Sequence, residues 1–338
     1  MLSQKLPDQM KAIVLESYSG VAALRVDQKQ VPKPGKNEVL IKIAASPINP
    51  SDLAFIEGLY GLNKTTPVVP GLEGSGVVVA AGPGLMGRYL MGKRVACVAP
   101  EKGDGTWAEF MLTKTSYALP LNDAVGFEQG SMSVINPLTA IALVSLAREE
   151  GHTAFVNTAA GGALGQMLNR LGQKQGLKVI NIVRSDTQVE TLQRSSARFV
   201  LDSSEPKFEQ NLKDICHQHQ VRLAFDAIAG PMTLHLLEAM PRGGKVTIYG
   251  GLSFEAAQAN PGQIIFQQKA IDGFWLTAWM AKKGMLQNFV MWRRAQKLME
   301  TELTTEIRNR YPLADAKKAV INYQEHMSRG KILFLPGK

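Results

Sequence analysis

Asn157-Thr-Ala-Ala-Gly-Gly-Ala-Leu-Gly165 is the stretch that decides the fold, because of what stands on either side of it. Ahead of it, Ala154-Phe-Val-Asn157 has the apolar run of a buried strand; behind it, Leu164–Gln175 has helical spacing. Between them Ala160, Gly162 and Gly165 fill the three small-residue positions of a G-x-G-x-x-G turn, with Ala in the first. Small residues let the backbone approach a pyrophosphate, and the helix N-terminus offers unpaired N–H groups and a positive dipole end. Ala160, Gly161, Gly162, Ala163, Leu164 and Gly165 are therefore candidate cofactor-binding residues. A tight strand-to-helix turn with no ligand would also favour glycine, so the surrounding pattern has to separate the two readings.

That pattern is an alternation. Val179–Val183, Phe199–Leu201, Leu223–Phe225, Lys245–Tyr249 and Ile271–Leu276 are strand-like, and helical stretches such as Thr187–Ser195 lie between them. Strands alternating with helices predict an α/β fold, a doubly wound parallel sheet of Rossmann type, over residues 136–276. In such sheets ligands collect beyond the carboxyl ends of the strands, where Tyr249 and Gly250 stand. Arg184 lies 184 − 165 = 19 residues past Gly165, at the end of the second strand, where a carboxylate would receive a free ribose 2′-OH. Arg184 and Ser185 instead suit a 2′-phosphate, so NADPH is the expected cofactor; Asp186, one residue on, keeps NADH open.

Before this region the chain changes character. Met10–Glu16, Glu38–Ala44, Val77–Val79 and Arg94–Ala96 are short strand-like runs among Gly and Pro, which predicts a mostly β domain over the first ~130 residues. The closing strand, Lys331–Leu335, belongs with that domain. The expected division is 1–135 with 277–338 as one domain and 136–276 as the other. Met285, Phe289, Trp292 and Met299 recur at near-helical spacing and are expected to pack into a core.

At 338 residues, 45% hydrophobic and 20% charged, the chain can bury two ordinary cores. Cys97 and Cys216 provide no disulfide framework, there is no signal-like start, and no apolar stretch approaches a membrane span. A soluble, cytoplasmic protein with no membrane partner is expected. The net charge of +9 draws anions such as phosphorylated cofactors or an acidic carrier protein. The basic pairs Lys282-Lys283, Arg293-Arg294 and Lys317-Lys318 are dispersed among acids, so nucleic acid binding is not expected and a solvated basic surface is the plainer reading.

Together these stretches resemble the medium-chain dehydrogenase/reductase superfamily. The likeness is carried by Met10-Lys-Ala-Ile-Val14, Pro32–Gly35, Pro70-Gly-Leu-Glu-Gly-Ser-Gly76, Gly105-Thr-Trp-Ala-Glu109, Asn136-Pro-Leu-Thr-Ala140 and the Ala160–Gly165 turn. It implies a GroES-like β domain beside the Rossmann sheet. Zinc enzymes of this superfamily carry Gly-His-Glu where this chain has Gly71-Leu72-Glu73, and a cysteine near Asn49. Leu72 cannot ligate zinc and a carboxamide is a poor substitute for thiolate. Cys216, His217 and His219 do not share a helix face, so no metal site is expected.

Within the superfamily, Asn49–Asp52 with Gly58–Gly61, Tyr249–Ser253 and Gly273–Trp279 are similar to the mitochondrial-type enoyl-thioester reductases. Gly58-Leu-Tyr60 followed by Pro70-Gly71 also resembles the quinone oxidoreductases. The resemblance implies a catalytic role for Tyr60, whose phenol could donate a hydrogen bond to a carbonyl or a proton to an enolate; a packed loop tyrosine is the alternative. It implies that Asn49 and Asp52 shape the site, with loop capping as their alternative. It places Thr139 near the nicotinamide, and Phe274, Trp275 and Leu276 beside the nicotinamide or an acyl channel, or at a subunit edge. A homodimer follows by the same analogy. Three functions stand open: an NADPH-dependent 2-enoyl thioester reductase, with coenzyme A or an acyl carrier protein as carrier; a quinone or small-enone reductase; and a non-catalytic NADPH-binding regulatory protein.

Overall fold

The structure, a computed structural model, describes residues 6–337. In chain order the strands and helices begin with β1 (Gln9–Leu15), β2 (Leu24–Gln30), β3 (Glu38–Pro47), α1 (Pro50–Ile56), β4 (Glu73–Ala81), α2 (Leu85–Leu90), β5 (Arg94–Val98), β6 (Phe110–Lys114), β7 (Ala118–Pro120) and α3 (Phe127–Ser131). Next come α4 (Ile135–Glu149), β8 (Ala154–Asn157), α5 (Ala163–Lys174), β9 (Lys178–Val183), α6 (Asp186–Arg194), β10 (Phe199–Asp202), α7 (Phe208–Gln218) and β11 (Leu223–Asp226). The chain closes with α8 (Pro231–Ala239), β12 (Lys245–Ile248), α9 (Pro261–Gln267), β13 (Ala270–Gly273), α10 (Leu276–Ala281), α11 (Met285–Leu298), β14 (Ile307–Tyr311), α12 (Ala316–Glu325) and β15 (Lys331–Phe334).

Two compact units divide the chain: the described residues up to Ile135 together with those from Thr305 onward, and Asn136–Thr304. In the first unit a seven-stranded sheet runs β14-β15-β3-β4-β5-β7 with β6 as its seventh strand, paired with β3, and β1 pairs with β2. All these pairs are antiparallel except β14 with β15. Alternating short strands with buried inner faces enclose a core that includes Ile13, Leu40, Phe55, Trp107, Tyr323 and Phe334, and Trp107 meets Phe334 edge-on at 5.1 Å between ring centres.

The second unit is a six-stranded sheet in the order β10-β9-β8-β11-β12-β13, parallel throughout. Numbered from β8, this is the 3-2-1-4-5-6 order of a doubly wound dinucleotide-binding sheet. The inner strands β8, β9 and β11 are near-continuous buried runs because helices cover both faces of the sheet there. Asn157 and Asn181 are buried polar residues of the inner strands and are joined to each other: Asn157 Nδ2 donates to Asn181 Oδ1 at 2.9 Å.

Three sequence expectations need correction. Residues 277–304 belong to the second unit, not with the first. Arg170 of α5 holds the end of this segment, donating to Glu302 O at 2.8 Å and Thr304 O at 2.7 Å, while Lys174 pairs with Glu302. The last strand stops at Gly273, and Leu276 opens α10, because Phe274 N makes the final sheet bond, to Ile248 O. Trp292 and Met299 are buried as expected, but Phe289 is half exposed and carries Arg293 over its ring; the Met285 side chain lies outside the described residues.

Candidate active site

In the first unit, Asn49 sits at the start of α1, where β3 ends, and is buried with Asp52, Glu73 and Lys331. The Asn49 amide is held at both ends: Nδ2 donates to Glu73 Oε1 at 2.9 Å, and Oδ1 accepts from Lys331 Nζ. The other Glu73 oxygen accepts the backbone N–H groups of Val134 (3.1 Å) and Ile135 (2.9 Å), capping the N-terminus of α4 with negative charge. Lys331 Nζ also donates to Ile48 O at 3.2 Å and Tyr323 Oη at 3.3 Å. An ammonium has three N–H donors, and all three are engaged.

Asp52 serves its own loop. One carboxylate oxygen accepts Asn49 N at 2.8 Å and the other Leu72 N at 3.0 Å. This is the capping geometry. Burial pushes the Asp52 carboxyl up to about 7 in spite of those two donors, and burial raises Glu73 as well. Burial pulls Lys331 down to about 8 against the attraction of Glu73 and Asp52.

Tyr60 follows α1 and is partly buried against the apolar core of this unit. Sequence reading missed Lys64, four residues on. It is buried, donates to Gly103 O at 3.0 Å, and is pulled down to about 8 by burial, with Asp104 and Asp52 opposing. Its backbone is fixed by Tyr18, whose hydroxyl donates to Lys64 O at 2.8 Å. Lys331 and Glu73 were missed as a pair because 73 and 331 lie in distant strands; only the charge of Lys331 inside an apolar strand could have flagged it.

In the second unit, the turn between β8 and α5 is built as its residue types predict. Gly165 packs so tightly that a Cβ would lie 2.6 Å from Ala159 O and from Ala160 Cα. Ala159 has a left-handed φ of 48°, and Gly162 enters α5 from an extended conformation. The N–H groups of Ala163 and Leu164 find no acceptor within their own helix, so the turn presents donors suited to a phosphate. Arg184 and Ser185 stand where β9 gives way to α6. The Arg184 side chain is exposed, and its backbone N–H is fixed by Gln188 Oε1 at 3.1 Å.

At the carboxyl ends of the neighbouring strands, Asp226 ties three segments together, accepting from Thr158 Oγ1 (3.0 Å), Ile228 N (2.9 Å) and Thr233 Oγ1 (2.8 Å). Sequence reading missed this brace. Tyr249 and Gly250 follow β12 at the same end, and Gly250 lies so close to Ala227 that a Cβ would meet its carbonyl oxygen at 2.8 Å. Thr139 is buried on α4. Phe274 and Leu276 are partly buried, while Trp275 is 45% exposed beside β13, whose four residues are all exposed. The residues of the cofactor turn, the Arg184 corner and the Tyr249 loop thus share one unit, and Asn49, Asp52 and Tyr60 share the other.

The alcohol dehydrogenase GroES-like domain matches residues 35–123, and the zinc-binding dehydrogenase domain matches residues 163–291. The chain belongs to the medium-chain dehydrogenase/reductase family and is an oxidoreductase of that family. The crystal structure of a putative NADPH:quinone reductase from Mesorhizobium loti is 34% identical, with a TM-score of 0.92, covering 98% of this chain and 100% of that one. A putative NADPH:quinone reductase from Bacillus thuringiensis is 27% identical, with a TM-score of 0.86 and 97% and 99% coverage. The mitochondrial enoyl-[acyl-carrier-protein] reductase of Bos taurus is 29% identical over 282 residues, 81% of this chain and 74% of that protein.

Zinc does not fit this chain's version of the site. Leu72 has no ligating atom, Asn49 is bound at both ends of its amide, and its carbonyl oxygen already faces the Lys331 ammonium. A second cation there would meet a fixed positive charge. Among the described residues no group of three His, Cys, Asp or Glu side chains is arranged to hold a metal. Cys216 is buried, and His219 is turned instead to Lys178 Nζ at 3.2 Å.

Proposed function

We propose that this chain is an NADPH-dependent, zinc-independent reductase that adds hydride to the conjugated C=C of a 2-enoyl thioester. The observation that carries the reading is the saturated Lys331 ammonium at the Asn49–Glu73 corner. It orients Asn49 but has no donor left for a substrate carbonyl, so charge developing on that oxygen needs another partner.

Tyr60 is that partner in this reading. NADPH, when bound, supplies the hydride that reaches the β-carbon. The Tyr60 phenol donates a hydrogen bond to the thioester oxygen as electron density moves onto it, and the α-carbon of the resulting enolate then takes a proton from water. Asn49 and Asp52 act as positioning residues, the first held by the ionic cluster and the second closing its loop. Ala160–Gly165 holds the pyrophosphate and Arg184 with Ser185 the 2′-phosphate, while Thr139, Tyr249, Gly250, Phe274, Trp275 and Leu276 border the nicotinamide end. The names of the curated relatives support the thioester. A quinone is the second reading, favoured by the 34% identity to the Mesorhizobium loti protein. Cytoplasmic location and a homodimer belong to the same proposal; no helix among the described residues is long and apolar enough to cross a membrane.

The test is NADPH consumption with crotonyl-CoA, the same acyl group on an acyl carrier protein, and 1,4-benzoquinone in parallel. Turnover of the thioesters, reduced about a hundredfold or more in Tyr60→Phe, is expected. Turnover of the quinone alone transfers the assignment to the second reading. Tight NADPH binding with no turnover of any of the three would overturn both substrate readings.

A further inference from the structure

Three turns of the first unit meet at one place. Asn37 N donates to Pro83 O at 3.0 Å, and Thr115 N donates to Asn37 O at 2.9 Å. Gly82 lies against Gly35 so closely that any side chain there would strike the Gly35 carbonyl. The joined segments are 31–37, 82–93 and 114–117. They carry Lys33, Lys36, Arg88, Lys93 and Lys114, and no Asp or Glu. The next acid in sequence, Glu38, is engaged with Gly35 N at 2.8 Å.

Into this basic ground the short helix α2 sets apolar side chains facing water. Gly87 and Leu90 form its buried side. Leu85 is 85% exposed, Met86 51%, Tyr89 56% and Met91 45%. Scattered exposed apolar residues need no explanation, but four within seven consecutive positions make a patch. Lys93 Nζ sits 3.8 Å over the centre of the Tyr89 ring, and Lys114 Nζ is 5.7 Å from that of Tyr117. Cations held over aromatic rings beside unpaired aliphatic ends match the layering of a bilayer boundary, where anionic headgroups overlie acyl chains.

We propose that this surface docks reversibly on an anionic lipid membrane, with Leu85, Met86 and Met91 entering the acyl boundary and the five cations facing headgroup phosphates. Charge complementarity selects the occupant. A nucleic acid backbone would answer the cations but would gain nothing from the aliphatic side chains, whereas an anionic bilayer answers both. This departs from the sequence expectation of no membrane partner, which rested on the lack of a spanning segment and not on surfaces. It goes beyond the proposed reduction and does not depend on it.

Cosedimentation of the full chain with vesicles tests the proposal, using phosphatidylcholine alone and phosphatidylcholine mixed with phosphatidylserine. Binding to the mixed vesicles only, weakening as salt is added, is the expected result. Leu85→Ser with Met86→Ser should weaken it by about tenfold or more. Lys33→Gln with Lys36→Gln should weaken it about fivefold for each charge removed. Lys207→Gln with Lys213→Gln, in the second unit, should change nothing. All three variants should keep the thermal midpoint of the parent, since the altered side chains are exposed. Equal binding to both vesicle types, binding unchanged by the Leu85/Met86 pair, or equal loss in the Lys207/Lys213 pair would overturn the proposal. So would self-association in lipid-free solution that the Leu85/Met86 pair abolishes, because the patch would then belong to a second copy of the chain.

Discussion

Replacing Lys331 with Met removes one buried charge and keeps most of the side-chain volume. The ammonium is 2% exposed and donates to Asn49 Oδ1, Ile48 O and Tyr323 Oη. Its loss leaves those acceptors unpaired and leaves Glu73 and Asp52 buried without a compensating cation. Removing one member of a buried charged network costs about 3–5 kcal/mol, and the linkage through Asn49, not by direct ion pairing, puts the expectation near the lower end, about 3 kcal/mol. For a unit of this size that lowers the thermal midpoint by roughly 6–12 °C. Thermal unfolding followed by circular dichroism, with urea titration as a second measure, reads the effect. Adding Glu73→Gln to Lys331→Met removes the opposite charge as well and should return at least about 1 kcal/mol of the loss. A midpoint within about 2 °C of the parent for Lys331→Met, or strict additivity in the double variant, would refute the idea that the cluster is electrostatically coupled.

Four further outcomes follow from the same geometry. The raised Asp52 pKa means the folded state binds a proton more tightly than the unfolded chain, so this group's stabilisation is lost as pH rises from about 4 to about 7; Asp52→Asn should flatten that slope in urea titrations taken across the range. Arg184→Ala should raise the KM for NADPH by about 10- to 100-fold while leaving that for NADH nearly unchanged, and equal losses for both would remove Arg184 from the 2′-phosphate site. Gly165→Ala drives a Cβ into the Ala159–Ala160 backbone and should cost about 1–3 kcal/mol together with NADPH affinity, seen by unfolding and by fluorescence titration. β13 is an exposed edge strand flanked by Phe266 and Trp275, so Ile271→Lys should convert a dimer to a monomer in light scattering; an unchanged mass would place any dimer contact elsewhere.

What could be read in the sequence was local. The β8 strand, the Ala160–Gly165 turn and the α5 helix are contiguous, and each residue type there answers a constraint set by its immediate neighbours. The alternation after Val179 follows from the same kind of signal, since a strand covered on both faces must be apolar along its length. The misassignment of 277–304 shows the limit. Its helices have ordinary amphipathic spacing, and what attaches them to the second unit is Arg170 reaching carbonyls more than a hundred residues away. The Asp226 brace escaped notice for the same reason: Thr158 becomes its partner only when β8 and β11 lie side by side.

The Asn49 corner shows most clearly what distance in the chain conceals. Leu72 and Asn49 argue against zinc by their chemistry alone, but they say nothing of what else stands at that corner. The answer comes from Lys331, 282 positions beyond Asn49, delivered by β15 pairing with β3. The corner therefore retains a positive charge, but a tethered one. A metal ion with an open coordination position can accept a substrate oxygen. An ammonium whose three hydrogens already point at Ile48, Asn49 and Tyr323 cannot. It can hold the Asn49 amide and balance Glu73, which in turn caps α4. Polarising a substrate carbonyl then falls to a group outside the cluster, and that requirement, more than any motif, is why Tyr60 is the residue on which the proposed chemistry depends.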